Sequence, residues 1–368
     1  MIKRPDYIKP GCSIGITAPS FGPSSEPYHS MYFFSKKNFE NRGYKIIEGD
    51  TLFKNDGIGI NTDPKVAAAE LVDFYKRSDI DAIVSAGGGE LMNETITHVD
   101  FEALKDEKPK WYMGYSDNTN FIFPLVTIAE VQGIYGPCIS GFSKKWEEPE
   151  FDAMALLEGI KKEFSGYGQF VDPEKEKAES ETADRNGGDG VEIDYTTFNF
   201  DIPYNYNSEK VLTSYICDGK KAVKAGADDE ISMQGIILGG CVDVLANMVG
   251  TRFDNMKEFN KKYKDIIWVL EACDLTPMSY RRAMWNFREA GWFENARGFV
   301  IGRPLTAFNK EMMGADHFNA VTDVVGELGV PIIMDADIGH IDPMLPVVMG
   351  ARARVTAKGN DLKLVYVD

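Results

Sequence analysis

Through the first ~165 residues, strand signals and helix signals take turns, and that exchange narrows the fold more than any other feature of the chain. SIGITAP (13–19) is a short apolar run ending in Pro. PYHSMYFFSKKNFENRG (27–43) has helical spacing and stops at a Gly, as a helix C-terminus does. YKIIEG (44–49), DAIVSAGGG (81–89), WYMGYS (111–116) and VQGIYGP (131–137) read as strands. KVAAAELVDFYKR (65–77) and NTNFIFPLVTIAE (118–130) read as the helices between them. Regular alternation of this kind predicts a parallel sheet with helices on both faces. Such sheets bind ligands beyond the carboxyl ends of their strands, where AGGGE (86–90) and GYSD (114–117) fall.

The pattern breaks over 166–230, which is acidic and rich in Gly, Asn and Tyr. This stretch reads as a long loop with some irregular strand. Its aromatics (Tyr167, Phe170, Tyr195, Phe198, Phe200, Tyr204, Tyr206) point to a partly ordered flap. Alternation resumes near residue 232. ISMQGIILGG (231–240), DIIWVLEACD (265–274), ARGFVIGRP (296–304) and PIIMDADIGHIDP (331–343) are strands with polar ends. CVDVLANMVGT, SYRRAMWNFREAG and HFNAVTDVVGELG are helices, and 345–367 is a closing run of β signals. The expected fold class is α/β: an N-terminal parallel-sheet, Rossmann-like (flavodoxin-like) domain over 1–165 and a C-terminal β-rich α/β domain over 231–368. The flap and linker over 166–230 join them.

Charge and cysteine content restrict the partners. With 57 Asp and Glu against 40 Lys and Arg, the chain carries a formal charge of −17. Nucleic acid and anionic membrane are therefore not expected, because phosphate binding needs clustered cations. Five scattered cysteines without a C-x-x-C suit a reducing cytosol better than a disulfide framework or zinc ribbon. No run approaches the ~18 apolar residues of a membrane span. The expected location is the cytoplasm, with a removed leader left open.

Chemistry must come from polar residues at strand ends. Ser116 follows a strand and precedes a helix, where a nucleophile projects from the sheet edge and helix N–H groups face developing negative charge. A helix-capping serine has the same local signature, and Asn118 breaks the G-x-S-x-G elbow motif. Glu271 ends the buried run IIWVL; it is either a solvated strand end or a placed orienting group. Nearby Cys273 is an alternative nucleophile without an activating pattern. His340 sits in the turn GHIDP, between Gly339 and Pro343. Together Ser116, His340 and Glu271 supply a nucleophile, a base and an orienting carboxylate. In AGGGE, backbone N–H groups can approach a ligand closely. One of them plus the N–H of Asp117 would make a two-donor oxyanion hole. A phosphate loop is the competing reading, weakened because Met92 occupies the third glycine position of G-x-G-x-x-G. In a rival metal reading Asp335, Asp337, His340 and Asp342 are ligands, but no H-E-x-x-H accompanies them. No metal or cofactor is expected.

The sequence resembles the LD-carboxypeptidase family of serine peptidases, which includes murein LD-carboxypeptidases and microcin C immunity peptidases. The resemblance runs nearly the full chain, through IKPGCSIGITAPS, SAGGGELMNETITHVDF, PKWYMGYSDNTNF, GIYGP, QGIILGGCVDVLANMVGT, IIWVLEACDLTP, GFVIGRP and GHIDPMLPVVMGARARV. It implies a Ser–His–Glu triad with Ser116 as nucleophile, His340 as general base and Glu271 as orienting carboxylate. It implies an oxyanion hole from the amides of Asp117 and Gly88, with Gly89 and Glu90 near the substrate. It also implies a site between the two domains and a homodimer. The substrate would be a murein tetrapeptide, or a peptidyl- or aminoacyl-nucleotide in the microcin type. Two positions depart from the family pattern. Cys241 stands where an Asn often follows GG, and 166–230 lacks the Trp with which microcin-type members stack a base; a Tyr or Phe would substitute. In the alternative of another class, the same polar groups merely hold a small ligand, without catalysis.

Overall fold

The computed structural model describes residues 1–178, 195 and 199–367; Phe198, among the expected flap aromatics, lies outside them. The first strands are β1 (Ser13–Thr17), β2 (Lys45–Glu48), β3 (Ala82–Ser85), β4 (Trp111–Gly114), β5 (Gly133–Tyr135) and β6 (Glu163–Ser165). A small ribbon of β7 (Gln169–Phe170) and β8 (Ser208–Glu209) follows, then β9 (Thr213–Cys217), β10 (Ala222–Lys224), β11 (Glu230–Cys241), β12 (Ile266–Glu271) and β13 (Ala296–Gly302). After a second ribbon, β14 (Glu311–Met312) and β15 (Ala315–Asp316), come β16 (Ile332–Ala336), β17 (Val347–Met349), β18 (Arg352–Lys358) and β19 (Asp361–Tyr366).

Two sheets organise the molecule. The first has the order β17-β5-β4-β3-β1-β2. Its five N-terminal strands run parallel, in the flavodoxin-like sequence 2-1-3-4-5. The inner strands β1, β3, β4 and β5 are short, almost wholly buried apolar runs, as strands covered on both faces must be, while the edge strand β2 is partly exposed. The second sheet has the order β10-β9-β16-β13-β12-β11-β18-β19-β6. Four central strands, β11, β12, β13 and β16, are parallel, and antiparallel strands flank them. The chain is thus α/β with a parallel N-terminal sheet and a larger, β-rich C-terminal one.

Three segments lie elsewhere than their sequence position suggests. β17, from the C-terminal part, pairs antiparallel with β5 and closes the edge of the first sheet. β6, which ends at Ser165, pairs with β19 of the second sheet. Residues 213–224, expected within the acidic loop, form β9 and β10 of the second sheet, with β9 bound to β16. The reason is local: β9 does not alternate cleanly between buried and exposed side chains, so it carries no period-2 signal.

The helix after β4, Thr119–Thr127, has all nine residues buried. A helix buried on every side belongs between two layers, and this one packs against both β5 and β11. Its Phe123 ring stacks on Trp292 at 5.0 Å and on Trp268 of β12 at 6.5 Å. Trp268 is wholly buried, and truncating such a ring costs about 3–5 kcal/mol. The Thr119 hydroxyl at the start of this helix accepts the Cys241 amide at 3.0 Å. The helix that leaves the first sheet's serine is therefore bolted to the second sheet.

Candidate active site

Ser116 occupies the turn between β4 and that helix with φ +60°. A side-chain-bearing residue in this left-handed region costs about 1–2 kcal/mol, and bonds on every side hold it there. The Ser116 amide donates to the Tyr135 hydroxyl at 3.0 Å. The Asn118 side-chain amide donates to the carbonyls of Gly87 and Tyr115, both at 2.9 Å, and its carbonyl accepts the Tyr112 hydroxyl. The Asp117 carboxylate accepts the Ser20 hydroxyl, the Met92 amide at 2.8 Å and the Asn120 amide at 2.7 Å. Burial raises the Asp117 pKa, against the opposing effect of these donors. GYSDN is thus clamped to the AGGG loop by its own side chains. The N-terminal flank of the helix Thr119–Thr127 is Asn118, not Ser116, whose hydroxyl turns to His340.

The imidazole of His340 lies between the other two expected residues. Its Nε2 is 2.9 Å from Ser116 Oγ, and its Nδ1 is 2.8 Å from Glu271 Oε2. A carboxylate only accepts, so Nδ1 carries the proton and Nε2 is free to take one from the serine. Glu271, at the last position of β12, is fully buried. Gly339 has φ +103°, and a Cβ there would stand 2.5 Å from Glu271 Oε2; only glycine lets the histidine loop pass this carboxylate. Burial pulls the His340 pKa down, but the adjacent Glu271 charge and hydrogen bond outweigh it, with a contribution from Cys273, and the net shift is upward.

The glycine loop closes the other side of Ser116. A Cβ on Gly88 would stand 3.2 Å from Ser116 Cβ, so the backbone there can approach a bound carbonyl. Among the described residues, the amides of Gly88 and Asp117 have no hydrogen-bond acceptor. The Ser116 amide, by contrast, is taken by Tyr135.

Two family models match this chain: the LD-carboxypeptidase N-terminal domain over residues 14–136 and the LD-carboxypeptidase C-terminal domain over residues 234–355. The chain belongs to the LD-carboxypeptidase family. It is a serine-type peptidase. The peptidase is 20% identical over 355 residues to the microcin C7 self-immunity protein MccF of Escherichia coli, which covers 96% of this chain and 93% of that protein. Its fold is that of MccF solved with adenosine monophosphate, at TM-score 0.74 and 16% identity, covering 99% of this chain and 98% of that one. A MccF-like protein from Bacillus anthracis superposes at TM-score 0.73 and 19% identity, covering 99% of both chains. A muramoyltetrapeptide carboxypeptidase from Oxalobacter formigenes follows at 0.67 and 16%, covering 97% of this chain and 99% of that one.

A cavity of about 100 Å³ opens beside Ser116 in the peptidase, lined by Gly89, Glu90, Asn93, Asp117, Asn120, Cys241, Asp243, Cys273 and Asp274 among others. Partial loss of water and the carboxylates of Asp274, Asp117 and Asp243 raise the Glu90 pKa. A larger hollow of about 890 Å³ around Arg42, Trp146 and Phe151 lies elsewhere. It includes none of Ser116, His340 and Glu271, so chemistry rather than volume selects the site. Cys273 lines the active-site cavity, yet burial raises its thiol pKa, which leaves it a poor nucleophile. The four residues of the rival metal reading do not gather. Asp335 contacts His317 at 3.1 Å, Asp337 binds Arg303 at 2.6 Å, Asp342 pairs with Lys144 at 3.1 Å, and His340 faces the serine. Among the described residues no group of His, Cys, Asp or Glu is arranged to hold a metal, and no helix is long and apolar enough to cross a membrane.

Sequence reasoning missed three contributors to this peptidase site. Tyr135 ends β5 within the quoted GIYGP, but nothing in that motif marks its hydroxyl as touching both Ser116 and Glu271. Asn118, counted only as a break in the elbow motif, is the clamp on the glycine loop. Lys144 joins the flap to the histidine loop: it pairs with Asp342 and lies 4.1 Å from the centre of the Tyr204 ring.

Proposed function

We propose that this peptidase is a cytosolic carboxypeptidase with Ser116 as nucleophile, His340 as general base and acid, and Glu271 as the carboxylate that orients His340. The unbroken line of hydrogen bonds from Glu271 through His340 to Ser116, at 2.8 and 2.9 Å, carries this reading. Ser116 Oγ attacks the scissile carbonyl while its proton passes to His340 Nε2. The amides of Asp117 and Gly88 hold the oxyanion, each such donor contributing about 3–4 kcal/mol to the transition state. Collapse of the tetrahedral adduct expels the amine, which takes the proton from His340. Water then repeats the sequence on the acyl-enzyme.

The substrate is a murein tetrapeptide, cut at an L–D amide bond near its free carboxylate. Glu90, Asp243 and Asp274 support this choice, since they line the cavity with no Lys or Arg among the described lining residues. Such a field suits the amine of a diamino acid. A second reading, cleavage of an aminoacyl-nucleotide, is favoured by the Tyr204–Tyr206 pair. These rings stack 5.5 Å apart beside Lys144 and offer a platform for a base. Assaying murein tetrapeptide and an aspartyl-adenylate analogue in parallel separates the two. Ser116→Ala should remove at least ~10³-fold of the activity on whichever is cleaved. Unchanged hydrolysis by that variant would end the triad reading, and no hydrolysis of either substrate by the wild type would favour a ligand-binding role. We also propose a homodimer, an assignment that a one-chain mass by light scattering would remove.

A further inference from the structure

We infer that Tyr135 is a positioning residue for the hydrolytic reaction, setting both the serine and the glutamate through one phenolic oxygen. The inference rests on the triad reading above.

Tyr135 is the last residue of β5, next to the nucleophile strand β4, and it is fully buried. A tyrosine hydroxyl has one proton to give and lone pairs to receive. Here the proton goes to Glu271 Oε1, and a lone pair receives the Ser116 amide at 3.0 Å. Both partners belong to the proposed triad, one on each sheet. A core tyrosine that merely needed satisfying would be served by any nearby carbonyl.

Each bond has its own consequence. Glu271 has two oxygens, and His340 Nδ1 uses Oε2. With Oε1 held by Tyr135, the carboxylate plane cannot rotate, so the imidazole is aimed at Ser116. On the other side, the Ser116 amide is one that a serine peptidase could turn toward an oxyanion. Tyr135 takes it out of that role and anchors the left-handed turn at φ +60°. That leaves the Asp117 amide and the glycine loop to hold the oxyanion. Burial raises the phenol pKa far above its ordinary value, with the Glu271 charge adding to the rise, so the hydroxyl stays a donor throughout the working range.

Tyr135→Phe removes both bonds and keeps the ring. The expected result is a kcat lowered ~10–100-fold with KM within about twofold, because the lost alignment matters most in the transition state. Without the phenolic proton, the Glu271 charge acts more strongly on His340, so the acid limb of kcat/KM should move to higher pH. Reaction of Ser116 with a fluorophosphonate should slow by a similar factor. Normal kcat and an unmoved acid limb in a folded Tyr135→Phe protein would overturn the inference. So would an activity loss matched by the unfolded fraction alone. If the variant does not fold, replacing the tyrosines with 3-fluorotyrosine in the wild type and in a Tyr115→Phe background keeps the shape and strengthens donation. The acid limb should then move to lower pH, and no movement overturns the inference. Ser116→Ala measured alongside keeps the two readings apart: an active Ser116→Ala protein sinks the triad, whereas an inactive one beside a normal Tyr135→Phe sinks only the role of Tyr135.

Discussion

At the scale of single residues, the electrostatics of the site predict its pH response. His340 has its pKa raised in the folded protein because the buried Glu271 carboxylate outweighs burial of the ring. The base form is the neutral imidazole. Activity should therefore climb with pH through a value above the ordinary 6.5 of histidine. Glu271→Gln removes the charge, so the acid limb should shift down while kcat falls roughly 10³–10⁴-fold, because the imidazolium loses its partner and its tautomer. A pH–rate profile of both proteins checks this, and an unmoved limb in the variant would show that Glu271 does not act on His340. The same pair affects folding with the opposite sign. A histidine whose folded pKa is raised lends stability below its unfolded pKa and loses it as pH rises through the folded one. The protein is thus electrostatically firmest at pH values where its base is still protonated.

At the scale of elements, the parallel strands of the first sheet were legible because each is a short apolar run bounded by a cap or a glycine. The polar end of β4, and so Ser116, could be placed by counting from those runs, and Glu271 and His340 likewise from the apolar runs of β12 and β16 in the second sheet. The loop-borne part was not legible. β9 fails to alternate, and the β7–β8 ribbon has only two residues on each side. Neither the double contact of Tyr135 nor the clamp by Asn118 leaves a trace in spacing, because both bridge residues that meet only after the sheets have formed. In the sequence Asp117 reads as a backbone donor to the oxyanion. The structure uses its carboxylate to join three segments, Ser20, Met92 and Asn120, while its amide has no acceptor among the described residues. A short-range signal can mark a strand end, but it cannot say which strand ends meet.

At the scale of the molecule, the two sheets exchange material. β17 belongs to the sheet of the serine although it follows the histidine in sequence, and β6 belongs to the sheet of the histidine although it precedes the flap. We propose domains at 1–165 and 231–368 with the flap between. These crossings predict that neither piece is autonomous. Residues 1–165 made alone would expose the β5 edge and the wholly buried helix Thr119–Thr127, while residues 231–368 would lack β6, β9 and β10. Circular dichroism and amide exchange should find both fragments loosely structured, and mixing them with the missing 166–230 segment should restore order. A fragment 1–165 that unfolds cooperatively by itself would refute this.

The separation of Ser116 from His340 by 224 positions along the chain has a further consequence. As the chain is synthesised, the serine emerges long before the histidine proposed to activate it. The left-handed turn also lacks its anchor at Tyr135 until β5 follows. A nascent chain that has not reached His340 therefore carries its proposed nucleophile unarmed. On the proposed triad, hydrolysis begins only once His340 has been added and the two sheets have closed on each other, so the order of synthesis itself keeps shorter nascent chains from cutting anything.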